Sequence, residues 1–131
     1  MAEAKFPARP MSPHLQIYRV TWTMAMSVFH RGTGVALYFG TGLLAIWLLC
    51  LASGPVAYDR ASWAFGSIPG KLVMFGYTWA LLHHMLGGVR HLVWDTGVGF
   101  EPGTRMQLAR FTLIGSVTLT VAIWVIAYLM R

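Results

Sequence analysis

Between Gly32 and Tyr58 the chain carries no charged side chain, and the run GTGVALYFGTGLLAIWLLCLASG is long enough to cross about 30 Å of hydrocarbon as a helix. Such a run has few ways to fold. In lipid every backbone N–H and C=O must be satisfied internally, which leaves an α-helix as the structure of a single spanning segment. Leu72–Val89 and Phe111–Met130 are two further runs without Asp, Glu, Lys or Arg. With 56% hydrophobic and 11% charged residues in 131, the chain is too apolar for a soluble domain of its size. The expectation is an all-α integral membrane protein with three transmembrane helices, over residues 24–53, 69–95 and 107–130. Residues 1–23 precede them as an interfacial segment, and the whole chain, 1–131, forms a single membrane domain.

The net charge of +6 does not indicate nucleic-acid binding, because the basic residues lie between apolar runs rather than along one face. They read as topology determinants. Lys5, Arg9, Arg19, Arg31, Arg90, Arg105 and Arg110 fall on one side of a three-span path, and Arg60, Lys71 and Arg131 on the other. Seven against three places the N-terminus inside and the C-terminus outside. Trp63, Trp124 and Tyr128 then fall near the outer interface, where amphipathic rings belong. The stretch SGPVAYDRASWAFGSIPG between the first two spans reads as a loop with a short interfacial turn. Cys50, the single cysteine, sits within an apolar run and reads as helix packing. The first residues lack the pattern of a cleaved signal or of an Arg- and Ser-rich transit peptide, so the first span acts as its own insertion signal. This favours a bacterial inner (cytoplasmic) membrane over the mitochondrial inner membrane.

Ionisable groups are costly in such helices, and here they gather at the inner end. Span one begins there with Ser27, His30 and Arg31; span two ends there with LLHHMLGGVRHLVWD. Residues four apart share a helix face. From His84 the four-step strip is Gly76, Ala80, His84 and Gly88, a groove of small residues that leaves room for a flat ligand such as a porphyrin. The strip of His83 contains Phe75 and Trp79, so His84 is the better axial-ligand candidate. Gly32, Ala36 and Gly40 in span one have the same small-residue spacing and read as close helix packing. His91, seven residues beyond His84, lies about 10 Å nearer the inner surface at helical rise. Arg31, Arg90 and His91 can there supply cations to haem carboxylates. Span three has no histidine and His30 lies near the inner end, so a second axial ligand is expected from another chain. Ser27 and Arg31, one turn apart, can hold a quinone carbonyl and stabilise the negative charge that reduction puts on it. Asp95 serves either as a proton relay or as a partner of Arg90.

RPMSPHLQIY, SVFHRGTG and HHMLGGVRHLVWDTG, in that order, resemble the cytochrome b membrane-anchor subunit of succinate dehydrogenase, respiratory complex II, over nearly the whole chain. The resemblance implies a membrane anchor within a helical bundle shared with a second small membrane-anchor subunit, which supplies the other haem ligand. It also implies docking to an iron–sulfur subunit and a flavoprotein subunit, which hold the iron–sulfur clusters and FAD. The chain would bind haem b and help form the site of ubiquinone reduction, without being an enzyme on its own. Carried over by position, His84 is the haem ligand, Ser27 and Arg31 belong to the quinone pocket, and His30 and His91 lie near the propionates. The doubled histidine leaves His83 one residue from that assignment. The competing expectation is a haem-free structural anchor of a related quinone-linked dehydrogenase or fumarate reductase. A small transporter is disfavoured because the outer half of every span lacks ionisable groups.

Overall fold

A computed structural model describes residues 18–130. Residues 1–17 of the expected interfacial segment, and most of RPMSPHLQIY with them, lie outside the described residues, and its last two residues, Trp22 and Thr23, belong to the first helix. Four helices follow in order: α1 (Trp22–Ala52), α2 (Pro55–Gly66), α3 (Ile68–Asp95) and α4 (Pro102–Leu129).

α1 runs for 31 residues and ends where the Ser53 hydroxyl and backbone N–H both donate to the Leu49 carbonyl. Gly54, at φ +105°, then turns the chain through a conformation that side chains rarely adopt. The stretch expected to be a loop is instead the 12-residue helix α2. Pro55 in its first turn is preorganised for a helix start, and Ala57, Ala61 and Ala64 favour its continuation. Ser67 joins α2 to α3, donating its hydroxyl to the Ala64 carbonyl and accepting from the Gly70 N–H. α4 starts five residues before the expected span, since Pro102 can open a helix through Gly103, Thr104 and Arg105. Charged residues limit the part of a helix that enters lipid, not the helix.

α1 and α4, of 31 and 28 residues, are long and apolar enough to cross a membrane. α3 is as long as α4, at 28 residues, but interrupts its apolar surface with His83, His84 and Arg90. It is the middle element, packing chiefly on α4 and on α1, while α2 leans on α1 and α3. The buried core is small. Its apolar members are Met26, Ala61, Ala80, Leu82 and Ala109, and its polar ones Thr33, His83, Arg90, Thr112, Ser116 and Thr120. Tyr38, Phe39, Leu49, Phe111 and Ile126 are among many large apolar side chains left exposed, a surface suited to lipid or to other membrane subunits. Trp63 and Tyr128 are exposed. Trp124 is not: it packs edge-on against Phe75 and donates its indole N–H to the Thr78 hydroxyl, which makes it part of the α3–α4 contact.

Candidate functional site

Where α1 crosses α3, His30 and His84 hold each other. The His84 Nδ1 lies 3.1 Å from the His30 carbonyl oxygen, and the His30 Nε2 lies 3.3 Å from the His84 carbonyl oxygen. A carbonyl only accepts, so each of these ring nitrogens carries its proton. The tautomers follow: His84 keeps its lone pair on Nε2, and His30 on Nδ1. The two rings stack 4.0 Å apart at an interplanar angle of 12°. Thr33, buried one turn beyond His30, donates to the His30 carbonyl at 2.9 Å and lies 3.3 Å from the His84 Nδ1. Two glycines make room. A Cβ on Gly87 would collide with the His30 ring, and one on Gly34 would stand 3.1 Å from the His84 Cε1.

Toward the inner end, His91 lies 5.3 Å from His30 and meets the Trp94 ring edge-on at 5.1 Å. The Arg90 guanidinium sits 5.1 Å over the same indole, and its enclosed Nε has no hydrogen-bond partner among the described residues. Trp94 is anchored in turn by its N–H to the Gly99 carbonyl, at 3.2 Å. The structure therefore gathers His30, His84 and His91 around the crossing, with Arg90 beside them on Trp94. Ser27 and Arg31 do not join this cluster. They are exposed on α1, beside the inward-facing Met26 and His30. Asp95 is exposed at the last position of α3.

His83 points the other way and is wholly enclosed against α4. The Ser116 hydroxyl spends its proton on the Leu113 carbonyl at 2.8 Å, so it accepts from the His83 Nδ1 at 3.2 Å. The remaining His83 nitrogen, Nε2, is enclosed without a partner among the described residues. Trp79, the bulky residue on the strip of His83, lies 5.2 Å from its ring.

Only the first half of the strip of small residues lines a groove; Gly88 and His84 do not. Gly76 and Ala80 of α3 face Gly32 and Ala36 of α1 across a cavity of about 490 Å³, with Phe29, Thr33 and Trp79 in its walls. The His84 imidazole is not among those walls; it turns from the slot toward α1, where a carbonyl and a hydroxyl satisfy its N–H. A second, mostly apolar cavity of about 530 Å³ is bounded by Leu43, Trp47, Phe65 and Tyr77. Gly40 packs closely against Tyr77, whereas a Cβ on Gly32 would meet nothing. Sequence reasoning missed Thr33, Gly34, Gly87, Trp94 and Ser116. The spacing of Thr33 from His30 and of Gly87 from His83, one turn each, was the signal available for two of them. No group of three or more His, Cys, Asp or Glu side chains among the described residues is placed to hold a bare metal ion. A single histidine with a free Nε2 suits a metal that brings its own equatorial ligands.

A helical membrane subunit, apolar over most of its surface and with a histidine cluster at one helix crossing, is the class that this fold and site define. The chain belongs to the family of succinate dehydrogenase/fumarate reductase transmembrane subunits, whose model matches residues 6–123. It is similar to the succinate dehydrogenase cytochrome b556 subunit of Paracoccus denitrificans, 38% identical over 121 residues, 92% of this chain and 93% of that one. The cytochrome b556 subunit of Rickettsia prowazekii is 37% identical over 89% of this chain and 91% of its own. The mitochondrial cytochrome b560 subunit of Sus scrofa is 40% identical over 93 residues, 70% of this chain and 55% of its own.

Proposed function

We propose that the chain is the haem b-binding membrane anchor of a succinate:ubiquinone oxidoreductase, with His84 as an axial ligand. The observation that carries this reading is the hydrogen bond from His84 Nδ1 to the His30 carbonyl, which leaves Nε2 as the unprotonated nitrogen that iron requires. Neither His84 Nε2 nor His83 Nε2 has a hydrogen-bond partner among the described residues, but His83 is wholly enclosed whereas His84 is only part-buried, so His84 is the one that a ligand can reach. Bound there, haem b would supply one-electron storage within the membrane.

His30 cannot serve as the opposing ligand in this arrangement, since its ring stacks beside that of His84 instead of facing it end to end. The second ligand therefore comes from the other small membrane subunit, which would cover the exposed faces of α1 and α3. His30, Arg31, Arg90 and His91 are the groups for the propionates, and the unpartnered Arg90 Nε is a donor in want of an acceptor. Ser27 and Arg31, exposed one turn apart, hold a ubiquinone carbonyl in a pocket completed by the iron–sulfur subunit. Their donors stabilise the charge that grows on that oxygen during reduction. Asp95, at the end of α3, is the candidate to relay the accompanying protons. Succinate oxidation itself belongs to the flavoprotein subunit. In this reading α3 is a third membrane crossing, the N-terminus is cytoplasmic, and the membrane is the bacterial inner membrane of the Paracoccus and Rickettsia relatives.

The test is a dithionite-reduced minus oxidised spectrum of membranes carrying the whole complex. His84→Ala should abolish the b-type band while the four subunits still co-purify, and His83→Ala should retain it. A wild-type complex without a band would instead make the chain a haem-free anchor.

A further inference from the structure

Thr33 does more than its position requires. A threonine inside an apolar helix ordinarily returns its hydroxyl proton to a carbonyl one turn back, and Thr33 does so, to the His30 carbonyl at 2.9 Å. That bond fixes the hydroxyl proton and turns the lone pairs of Oγ1 outward from α1. One of them meets the His84 Nδ1 at 3.3 Å, on a different helix and 51 residues away. The His84 N–H thus points between two acceptors, Thr33 Oγ1 and the His30 carbonyl oxygen at 3.1 Å. A ring flip would put a C–H against both, so the pair selects one rotation of the imidazole as well as one tautomer.

We propose that Thr33 is a positioning residue for His84, its hydroxyl fixing with the His30 carbonyl the rotation and protonation of the imidazole and so the basicity of Nε2. The inference rests on the reading of His84 as an axial ligand. Its chemistry is general: a ligating imidazole whose second nitrogen donates to good acceptors is a stronger donor to the metal, which favours the oxidised state. Thr33 also borders the 490 Å³ cavity, so it touches both the imidazole and the adjoining slot.

Thr33→Val keeps the branched shape and removes only the hydroxyl. In the intact complex, we would titrate the reduced b band against potential and record the low-spin EPR signal of the oxidised form, which responds to imidazole orientation. Thr33→Val should raise the midpoint potential and shift the EPR signal while haem per assembled complex stays near that of wild type. Thr33→Ser, which keeps the hydroxyl, should restore both. If Thr33→Val does not accumulate, Thr33→Ala removes the same group and is read in the same way. Wild-type potential and EPR in the hydroxyl-free variant, with the band abolished by His84→Ala, would overturn the role of Thr33 and leave His84 as ligand. A full band in His84→Ala would overturn both.

Discussion

Two seams run along α3, and adjacent histidines belong to different ones. Toward α4, His83 is sealed, its Nδ1 bonded to Ser116, in a contact that continues through Thr112, Thr120 and the Thr78–Trp124 pair. Toward α1, His84 is part-buried, its N–H held by backbone and hydroxyl and its other nitrogen left without a hydrogen bond among the described residues. The first seam ties two helices together within the chain. The second leaves a part-buried imidazole at the edge of the helix crossing. Histidine content alone does not separate these roles, and neither does the bonded atom, since both rings bond through Nδ1; what separates them is that His83 is wholly enclosed and His84 only part-buried.

Substitutions at four positions should break or sharpen this contrast. The largest effect is expected at Gly87, where the His30 ring occupies the place of a side chain. Gly87→Val should cost about 1–3 kcal/mol through overpacking and lower the melting temperature of the purified complex, because neither helix can move aside without breaking the histidine pair. A melting temperature equal to that of wild type would show that the α1–α3 contact is loose.

Ser116 tests the other seam. Ser116→Ala removes the acceptor and leaves the His83 Nδ1 enclosed without a partner, at a cost of about 1–3 kcal/mol. Adding His83→Leu should recover much of that loss, since removing both partners leaves no buried group unsatisfied. The b band should survive in both variants. Loss of the band in the double variant with assembly intact would assign His83 a role at the ligand site.

The smallest effect on the chain itself is expected at Gly88, next to the sensitive Gly87. A Cβ there meets nothing within the described residues, and alanine is the better helix former by about 1 kcal/mol. Gly88→Ala should therefore leave thermal stability unchanged or slightly raised. A shift of the b spectrum in that variant would place the porphyrin against this part of the strip.

The long helices were legible in the sequence because uncharged runs of this length have one way to satisfy their backbone in lipid. Helix α2 was hidden by its Gly, Pro, Asp and Ser content, although Pro55 and the alanines that follow mark a helix start. The meeting of His30 with His91 followed from topology, which returns the end of α3 to the start of α1, but the contact of His30 with the deeper His84 did not. The stacking of that pair did not follow either, nor did the roles of Thr33 and Trp94. Those depend on how far each helix is rotated about its own axis, and the small-residue spacing in α1 and α3 fits more than one rotation. Arg90 shows the same limit: it follows His83 by seven residues and shares that face, so it is buried over Trp94 while its neighbour His91 is exposed.

The paired bonds between His30 and His84 work as a dowel between two rods. Sliding α1 past α3 by one residue's rise, about 1.5 Å, would strain both bonds at once, because each joins a ring on one helix to the backbone of the other. The height of Ser27 and Arg31 above position 84 is thereby set within this polypeptide, before any other subunit arrives. An electron acceptor gripped at one level and a macrocycle held at the other would inherit a fixed spacing from that pin.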